Sequence, residues 1–281
     1  MSGTLYVVAT PIGNLEDVTF RALRVLREAS LIAAEDTRRT SKLLQHYSIS
    51  TPTTSLHEHN ERSKAAHLIA RLAAGESIAL VSDAGTPLVS DPGAELVAAA
   101  HAAGIRVEPV PGPSAAMAAL SAAGFQDDLV HFAGFPPAKG AARRAWFEQA
   151  ARLRGVLVLY EAPHRIRDTL SDLRGAVGDA EVAVGRELTK AHEELVVSPI
   201  STHLKRLIEG RGEFTLVVQL PGPMVVAAET PDDESLAIEF GQITNNDGAD
   251  RRDCVRELAR KYNLSTRDVY QRLERGKKLV R

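Results

Sequence analysis

The sequence predicts an α/β protein: two α/β domains in series, then a small helical module. Three observations predict it. Short β-branched runs alternate with helical patterns between residues 5 and 110. A second set of strand and helix signals begins after a break near residue 120 and runs to Pro221-Gly222-Pro223. Beyond an acidic stretch, residues 235–281 show helical periodicity only. The expected boundaries are 1–120, 121–222, a linker at 223–234 and a module at 235–281. A chain of 281 residues has room for about two domains and a small third one.

The elements follow in order. Leu5–Ala9 reads as a strand ending in the breaker-rich loop Thr10-Pro11-Ile12-Gly13-Asn14. Val18, Ala22, Val25, Leu26 and Ala29 recur at helical spacing. Leu31–Ala34 is a second strand and Thr53–His57 a third. Ala65, Leu68, Ile69 and Leu72 share one face of a helix that stops near Gly75. Ile78–Val81 is a short apolar strand ending at Ser82-Asp83-Ala84-Gly85-Thr86-Pro87. A helix over 93–103 leads to a strand at Ile105–Val107. This β-α-β-α order favours a largely parallel sheet covered on both faces. Ser114, after Pro111-Gly112-Pro113, is placed to cap an Ala-rich helix. The second unit has strands at Val130–Ala133, Gly155–Tyr160, Glu181–Arg186 and Phe214–Gln219, with helices over 140–152, 164–176 and 201–210.

Composition excludes several classes. One cysteine, Cys254, leaves no intramolecular disulfide framework, Cys-rich zinc site or iron–sulfur cluster. The first residues lack the pattern of a secretion signal, and no apolar run approaches the ~18 residues of a membrane span. A reducing cytoplasm is the expected location. The net charge of −2 hides a gradient. Residues 250–281 carry eleven Lys and Arg against five Asp and Glu, which makes the tail +6 and the remainder −8. A basic module on a mildly acidic body points toward nucleic acid, and a solvated helical surface is the plain alternative. Residues 257–270 read as helix, turn at Asn263-Leu264, Ser265 cap and second helix, a helix-turn-helix pattern.

The P-loop, the GxGxxG dinucleotide fingerprint, GxSxG and HExxH are all absent. What remains is a set of Gly/Pro turns directly after predicted strands: Pro11-Ile12-Gly13-Asn14, Asp83-Ala84-Gly85-Thr86-Pro87 and Pro111-Gly112-Pro113-Ser114. Each alone is an ordinary turn. Three at strand ends of one domain indicate a small-molecule site, because such loops line the ligand crevice of an open α/β sheet.

Six blocks carry a resemblance. They are residues 5–17 (LYVVATPIGNLED), Ala33-Ala34-Glu35-Asp36-Thr37-Arg38, His57-Glu58-His59-Asn60-Glu61, residues 82–93 (SDAGTPLVSDPG), Tyr160-Glu161-Ala162-Pro163-His164-Arg165 and Arg186-Glu187-Leu188-Thr189-Lys190. Together they resemble the rRNA-modifying branch of the tetrapyrrole methylase superfamily (class III methyltransferases), over about residues 4–220. The resemblance implies two α/β domains with S-adenosylmethionine in the cleft between them, and a homodimer. It implies methyl transfer to the ribose 2′-oxygen of a cytidine in 16S rRNA, at the decoding centre, with naked rRNA or the 30S subunit as partner.

The same resemblance implies cofactor contacts at Ile12, Gly85, Thr86 and Val89. Thr86 stands where porphyrin-modifying relatives have Asp, so the contact made by that carboxylate passes to Asp83 or Asp91. Ser114, Ala115, Glu161 and Leu188 match the remaining contacts.

The chemistry constrains the other roles. A sulfonium methyl is already electrophilic, whereas a ribose hydroxyl is a weak nucleophile that must be aligned with the methyl–sulfur bond. A base, or a cation that stabilises the developing alkoxide, adds ~10²–10⁴-fold. No metal is required. Lys190, Glu187, Asp36 and Arg38 are the candidate catalytic residues, and Glu35 and Glu58 belong to the same polar set. Asp36 also reads as an acid at the N-terminus of a helix, and Lys190 with Glu187 as an exposed ion pair. His57 and His59 read as RNA ligands, with a His-x-His metal site as the alternative. Arg186, Arg251, Arg252 and Arg267 are further RNA-binding candidates. Arg143-Arg144 and His164-Arg165 contact RNA backbone or cap helices. Two other functional readings stay open: a small-molecule, tetrapyrrole-like methyltransferase of the same fold, and a non-catalytic RNA-binding assembly factor.

Overall fold

In the computed structural model the described residues are 2–57, 59–206, 212–221, 231–246, 251–262 and 264–279. They fall into two compact units, Met1–Leu220 and Pro221–Arg281. The larger unit contains two five-stranded sheets.

The first sheet holds β1 (Thr4–Val8), β2 (Leu31–Ala34), β3 (Thr53–Ser55), β4 (Ile78–Val81) and β5 (Arg106–Val110), in the order β3-β2-β4-β1-β5. All its pairings are parallel. Every residue of β2 and β4 is buried, as expected for strands covered on both faces. The two-residue repeat divides them between two cores. Ile32, Ala34, Ala79 and Val81 pack with Leu26 of α1 (Phe20–Glu28) and Leu43 of α2 (Thr37–His46). Leu31, Ala33, Ile78 and Leu80 pack with Leu68 and Leu72 of α3 (Glu61–Ala73) and Leu96 of α4 (Ala94–Ala102). The chain leaves β1 with β4 on one side and β5 on the other, so the strand order reverses there and a crevice opens at the carboxyl ends.

The second sheet holds β6 (Val130–Phe132), β7 (Gly155–Glu161), β8 (Glu181–Arg186), β9 (Glu194–Pro199) and β10 (Phe214–Leu220), in the order β6-β7-β10-β8-β9. Only the β6–β7 pairing is parallel; the rest are antiparallel. Strand β9 goes beyond the sequence expectation. It is a half-exposed edge strand, so its apolar signal is weak, and its hairpin with β8 forms it. Ser114 caps α5 (Ala115–Ala123), its hydroxyl accepting from the Met117 amide. The Ala-rich face of α5 packs on Val156, Val158, Ala183 and Val217 of the second sheet. The other face of that sheet is covered by α6 (Gly140–Ala150), α7 (Ile166–Val177) and α8 (Ile200–Lys205).

The smaller unit is helical. Its helices are α9 (Asp233–Asn246), α10 (Arg251–Lys261) and α11 (Thr266–Leu279). Leu236, Phe240, Cys254, Leu258, Val269 and Leu273 form its core. A Cβ at Gly276 would lie 2.0 Å from the Asp233 carbonyl oxygen, so only glycine lets α11 approach α9 there. Ser265 caps α11, accepting from the Asp268 amide at 3.0 Å and donating to the Asp268 carboxylate at 2.6 Å. Arg251, Arg252 and Arg267 are exposed on this unit. Asn263 of the expected turn and most of the expected linker lie outside the described residues.

Candidate active site

The loops after β1, β2, β4 and β5 converge at the carboxyl ends of the first sheet. Thr10 and Gly85 exchange both backbone hydrogen bonds, at 2.8 and 2.9 Å. The Thr86 hydroxyl donates to the Pro113 carbonyl at 3.3 Å, which ties the third loop to the second. Gly85 has φ +79°, and a Cβ there would lie 3.4 Å from Cγ2 of Ile12. The left-handed backbone, rather than a lack of room for a Cβ, is what favours glycine here.

A groove of about 400 Å³ opens beside these loops, within the usual size of small-molecule sites. Ile12, Asp83, Gly85, Thr86, Val89, Asp91, Ser114, Ala115 and Glu161 all line it. Sequence reasoning singled out each of them. Leu188 does not line the groove; it packs over Gly185 and joins the apolar cluster around α5. Arg39, Phe135, Tyr160 and Glu213 also line the groove and were not expected. Tyr160 lies beside Phe132 and Phe135, a grouping that arises only through strand pairing.

One wall of the groove is acidic. The Asp36 amide donates to Oδ1 of Asp83 at 2.9 Å, and the Asp83 amide to Oε2 of Glu35 at 3.2 Å. Arg39 pairs with Oδ2 of Asp83 at 3.2 Å. Burial raises the Glu35 carboxyl above its ordinary value. Burial, with the nearby Glu35 and Asp83 charges, raises Asp91 to about 6 against the opposing Ser82 hydroxyl.

Asp36 and Arg38 stand beside this wall without lining the groove. Asp36 caps α2 by accepting from the Arg38 amide at 2.8 Å, and it pairs with the Arg38 guanidinium at 2.8 Å. That guanidinium holds the Asp36 carboxyl well below the usual carboxylate range. In the same segment Glu35 and Arg39 reach the groove instead, one residue to either side.

Lys190 and Glu187 lie in the β8–β9 loop. The Lys190 Nζ donates to Glu187 and to Glu213, both at 2.9 Å. Burial pulls the Lys190 pKa down, but the two carboxylates outweigh it and hold the pKa above the ordinary lysine value. The Glu213 amide, then the Lys190 ammonium, lower Glu187 against its partial burial. The loop meets the first-strand loop, where the Asn14 amide donates to the Thr189 hydroxyl at 3.0 Å. A Cβ at Gly13 would lie 2.4 Å from Cγ of Lys190. Leu88, Ser90, Glu187 and Thr189 adopt left-handed backbone conformations, a strain that concentrates in the two loops around the site.

The remaining candidates are spread out. His57 Nε2 lies 2.9 Å from Nδ2 of Asn60, and its ring centre is 6.0 Å from that of His59. Glu58 lies outside the described residues, among which no cluster of His, Cys, Asp and Glu could hold a metal. Arg186 ends β8. Arg165 is committed inside the fold, to the Pro136 and Pro137 carbonyls and, at 3.2 Å, to Glu161.

Comparison with known proteins decides the family. The model of the tetrapyrrole (corrin/porphyrin) methylases matches residues 4–203. The chain belongs to the tetrapyrrole methylase family. Within it, the chain is 43% identical to ribosomal RNA small subunit methyltransferase I of Halalkalibacterium halodurans, over 95% of this chain and 93% of the relative. The enzyme of the same name from Synechocystis is 44% identical, over 96% of each chain. The fold matches solved methylases at low identity. A uroporphyrin-III C-methyltransferase of Thermus thermophilus, complexed with S-adenosyl homocysteine, aligns over 77% of this chain and 97% of its own, with TM-score 0.55 and 16% identity. Diphthine synthase aligns over 77% and 90%, with TM-score 0.62. Among the described residues no helix is long and apolar enough to cross a membrane.

The cofactor of this methyltransferase family is S-adenosylmethionine, and the groove suits it. The acidic wall matches a cationic sulfonium and ammonium, and the Gly85 turn leaves backbone groups open to a ligand. The acidic wall costs stability when the cofactor is absent. Asp91 has a raised pKa, so its ionised form weakens the fold at neutral pH; that penalty declines as pH falls from about 6 and is gone only below the ordinary carboxyl value of 3.8. Asp91→Asn is expected to stabilise the cofactor-free protein by ~1–2 kcal/mol at pH 8, after allowance for solvent screening. The gain should shrink by more than half near pH 4.5 and vanish only below the ordinary value of 3.8, and cofactor affinity should fall. Thermal melts at both pH values, with calorimetry, test this; an unchanged melting point at pH 8 counts against it.

Proposed function

We propose that this protein transfers the methyl group of S-adenosylmethionine to the ribose 2′-oxygen of a cytidine in 16S rRNA. The observation that carries the reading is the match, along nearly the whole chain, to enzymes named ribosomal RNA small subunit methyltransferase I. Bound cofactor supplies an electrophilic methyl group and needs no metal to do so. Ile12, Gly85, Thr86, Val89, Ser114 and Ala115 would hold it, with Asp83, Asp91 and Glu161 as the polar partners. Leu188 contributes by fixing the turn over Gly185 that precedes Lys190.

Lys190 acts as a cation rather than a base, since two carboxylates keep it protonated. Its role is to stabilise negative charge as the 2′-hydroxyl loses its proton. Glu187 keeps Lys190 in place through the 2.9 Å ion pair between them. Asp36 and Arg38 act at one remove, by capping α2 and so holding Glu35 and Arg39 at the groove. His57, His59 and Arg186 are proposed as further RNA contacts. The exposed Arg251, Arg252 and Arg267 engage further phosphates from the helical unit.

Labelled cofactor, incubated with naked 16S rRNA and with 30S particles, tests the reading. Digestion to nucleosides should yield labelled 2′-O-methylcytidine. Label on a base, or none on either substrate, would overturn it. A chain ending at Leu220 should still bind cofactor, because the groove lies wholly within the first unit. It should bind rRNA more weakly, with the log–log salt slope shallower by ~0.7–0.9 for each phosphate no longer neutralised. Equal RNA affinity and slope would remove the tail from recognition.

A further inference from the structure

A second hollow, of about 830 Å³, lies between α6 and α7 on the larger unit. Neither the cofactor site nor the methyl-transfer step uses it. Lys139, Arg144 and Arg152 are exposed on its wall. None of the three has an ion-pair partner among the described residues. Some other exposed arginines of the same unit have acidic partners, among them Arg24 with Glu28, Arg174 with Asp179 and Arg206 with Glu194. The acids on the wall are Glu148 and Asp172, and Asp172 is occupied by Arg143 at 2.7 Å. The hollow therefore keeps an excess of unpaired positive charge. The N-terminus of α6 adds to it, with no side-chain cap and no acid in its first turn.

The floor is rigid. Buried Arg143 donates to Asp172, to the Thr169 hydroxyl at 2.9 Å and to the Pro137 carbonyl at 3.0 Å. Thr169 in turn bonds to Glu161, which lines the cofactor groove. The two sites also share a strand of chain. Phe135 lines the groove and Ala138 lines the hollow, at most about 11 Å apart along extended backbone. From Lys139 to Arg152 the cations extend over ~20 Å at the helical rise, enough to follow several phosphates of one strand. The one aromatic ring on the wall, Phe147, is buried beneath Arg143, so the surface offers no apolar anchor for a protein partner.

We infer that the α6–α7 hollow docks the sugar–phosphate backbone of the RNA whose cytidine enters the cofactor groove. This rests on the proposed rRNA substrate. The test uses the full-length protein with Lys139, Arg144 and Arg152 all replaced by Gln, and a 16S rRNA fragment titrated at several KCl concentrations. Affinity should drop about tenfold or more near physiological salt, and the log–log salt slope should flatten by ~2, at ~0.7 per phosphate. Calorimetric affinity for S-adenosylmethionine should not change. The charge-conserving variant Lys139→Arg/Arg144→Lys/Arg152→Lys should keep the wild-type slope. If the triple Gln variant loses cofactor binding through misfolding, the single Gln variants replace it, each expected to flatten the slope by ~0.7. Wild-type binding and slope in the Gln variants would overturn the docking surface and leave the proposed function standing. A wild-type protein that neither binds nor methylates the RNA would overturn the proposed function, and this inference with it.

Discussion

Gly85→Trp is expected to lower S-adenosylmethionine affinity by at least about 100-fold while the protein still folds. Two effects add. The residue sits at φ +79°, where an L side chain is strained by ~1–3 kcal/mol. The first atom of the new side chain already meets Ile12 at 3.4 Å, so the indole must project into the groove that Gly85 lines. The strain alone is small beside the stability of a domain, and the paired Thr10–Gly85 backbone can persist. Calorimetry measures the binding, and circular dichroism with a thermal melt checks the fold. A folded variant with wild-type affinity would mean that the cofactor lies elsewhere.

Lys190→Ala is expected to cut the single-turnover methylation rate by ~10²–10⁴-fold, with cofactor affinity changed less than about threefold. Removing the ammonium takes away the cation proposed to stabilise the developing alkoxide. It also leaves Glu187 and Glu213 without their shared partner. The Glu187 carboxyl should then rise toward its ordinary value, because the Lys190 contribution to its lowered pKa is gone. Lys190→Arg keeps the charge and should recover part of the rate. Equal single-turnover rates for Lys190→Ala and wild type would leave alignment of the hydroxyl as the whole of catalysis.

The loops of the site were legible because their signals are local. Gly13, Gly85 and Gly112 each follow a short apolar strand, and parallel strands bring their carboxyl ends to one edge of a sheet. Nine of the expected cofactor residues meet at one groove for that reason. The catalytic candidates were harder to rank. The run Glu35 to Arg39 is charged almost throughout, and sequence alone does not say which side chains face the groove. The start of α2 decides it. Asp36 turns to cap the helix, while Glu35 and Arg39 reach the groove. The positions of Leu188 and Glu213 relative to the groove were hidden for a related reason. Leu188 is directed by the tight β8–β9 turn toward Gly185, and Glu213 becomes relevant only because β10 pairs beside β8.

The alternation of strands and helices, the breakers that end the strands, the cap at Ser114 and the basic character of the tail are all legible in the residues alone. These depend on residue type and near-neighbour spacing, which operate before any long-range contact forms. How distant segments combine emerges with the folded arrangement. The Asn14 amide meets the Thr189 hydroxyl across 175 positions of sequence. Lys190 finds Glu213 through strand pairing, and α5 packs on the second sheet rather than the first. In the α6–α7 hollow, too, Arg143 on one helix binds Thr169 and Asp172 on the other. Such pairings follow from how sheets and helices bury their apolar faces against one another, and no periodicity within a single segment encodes them.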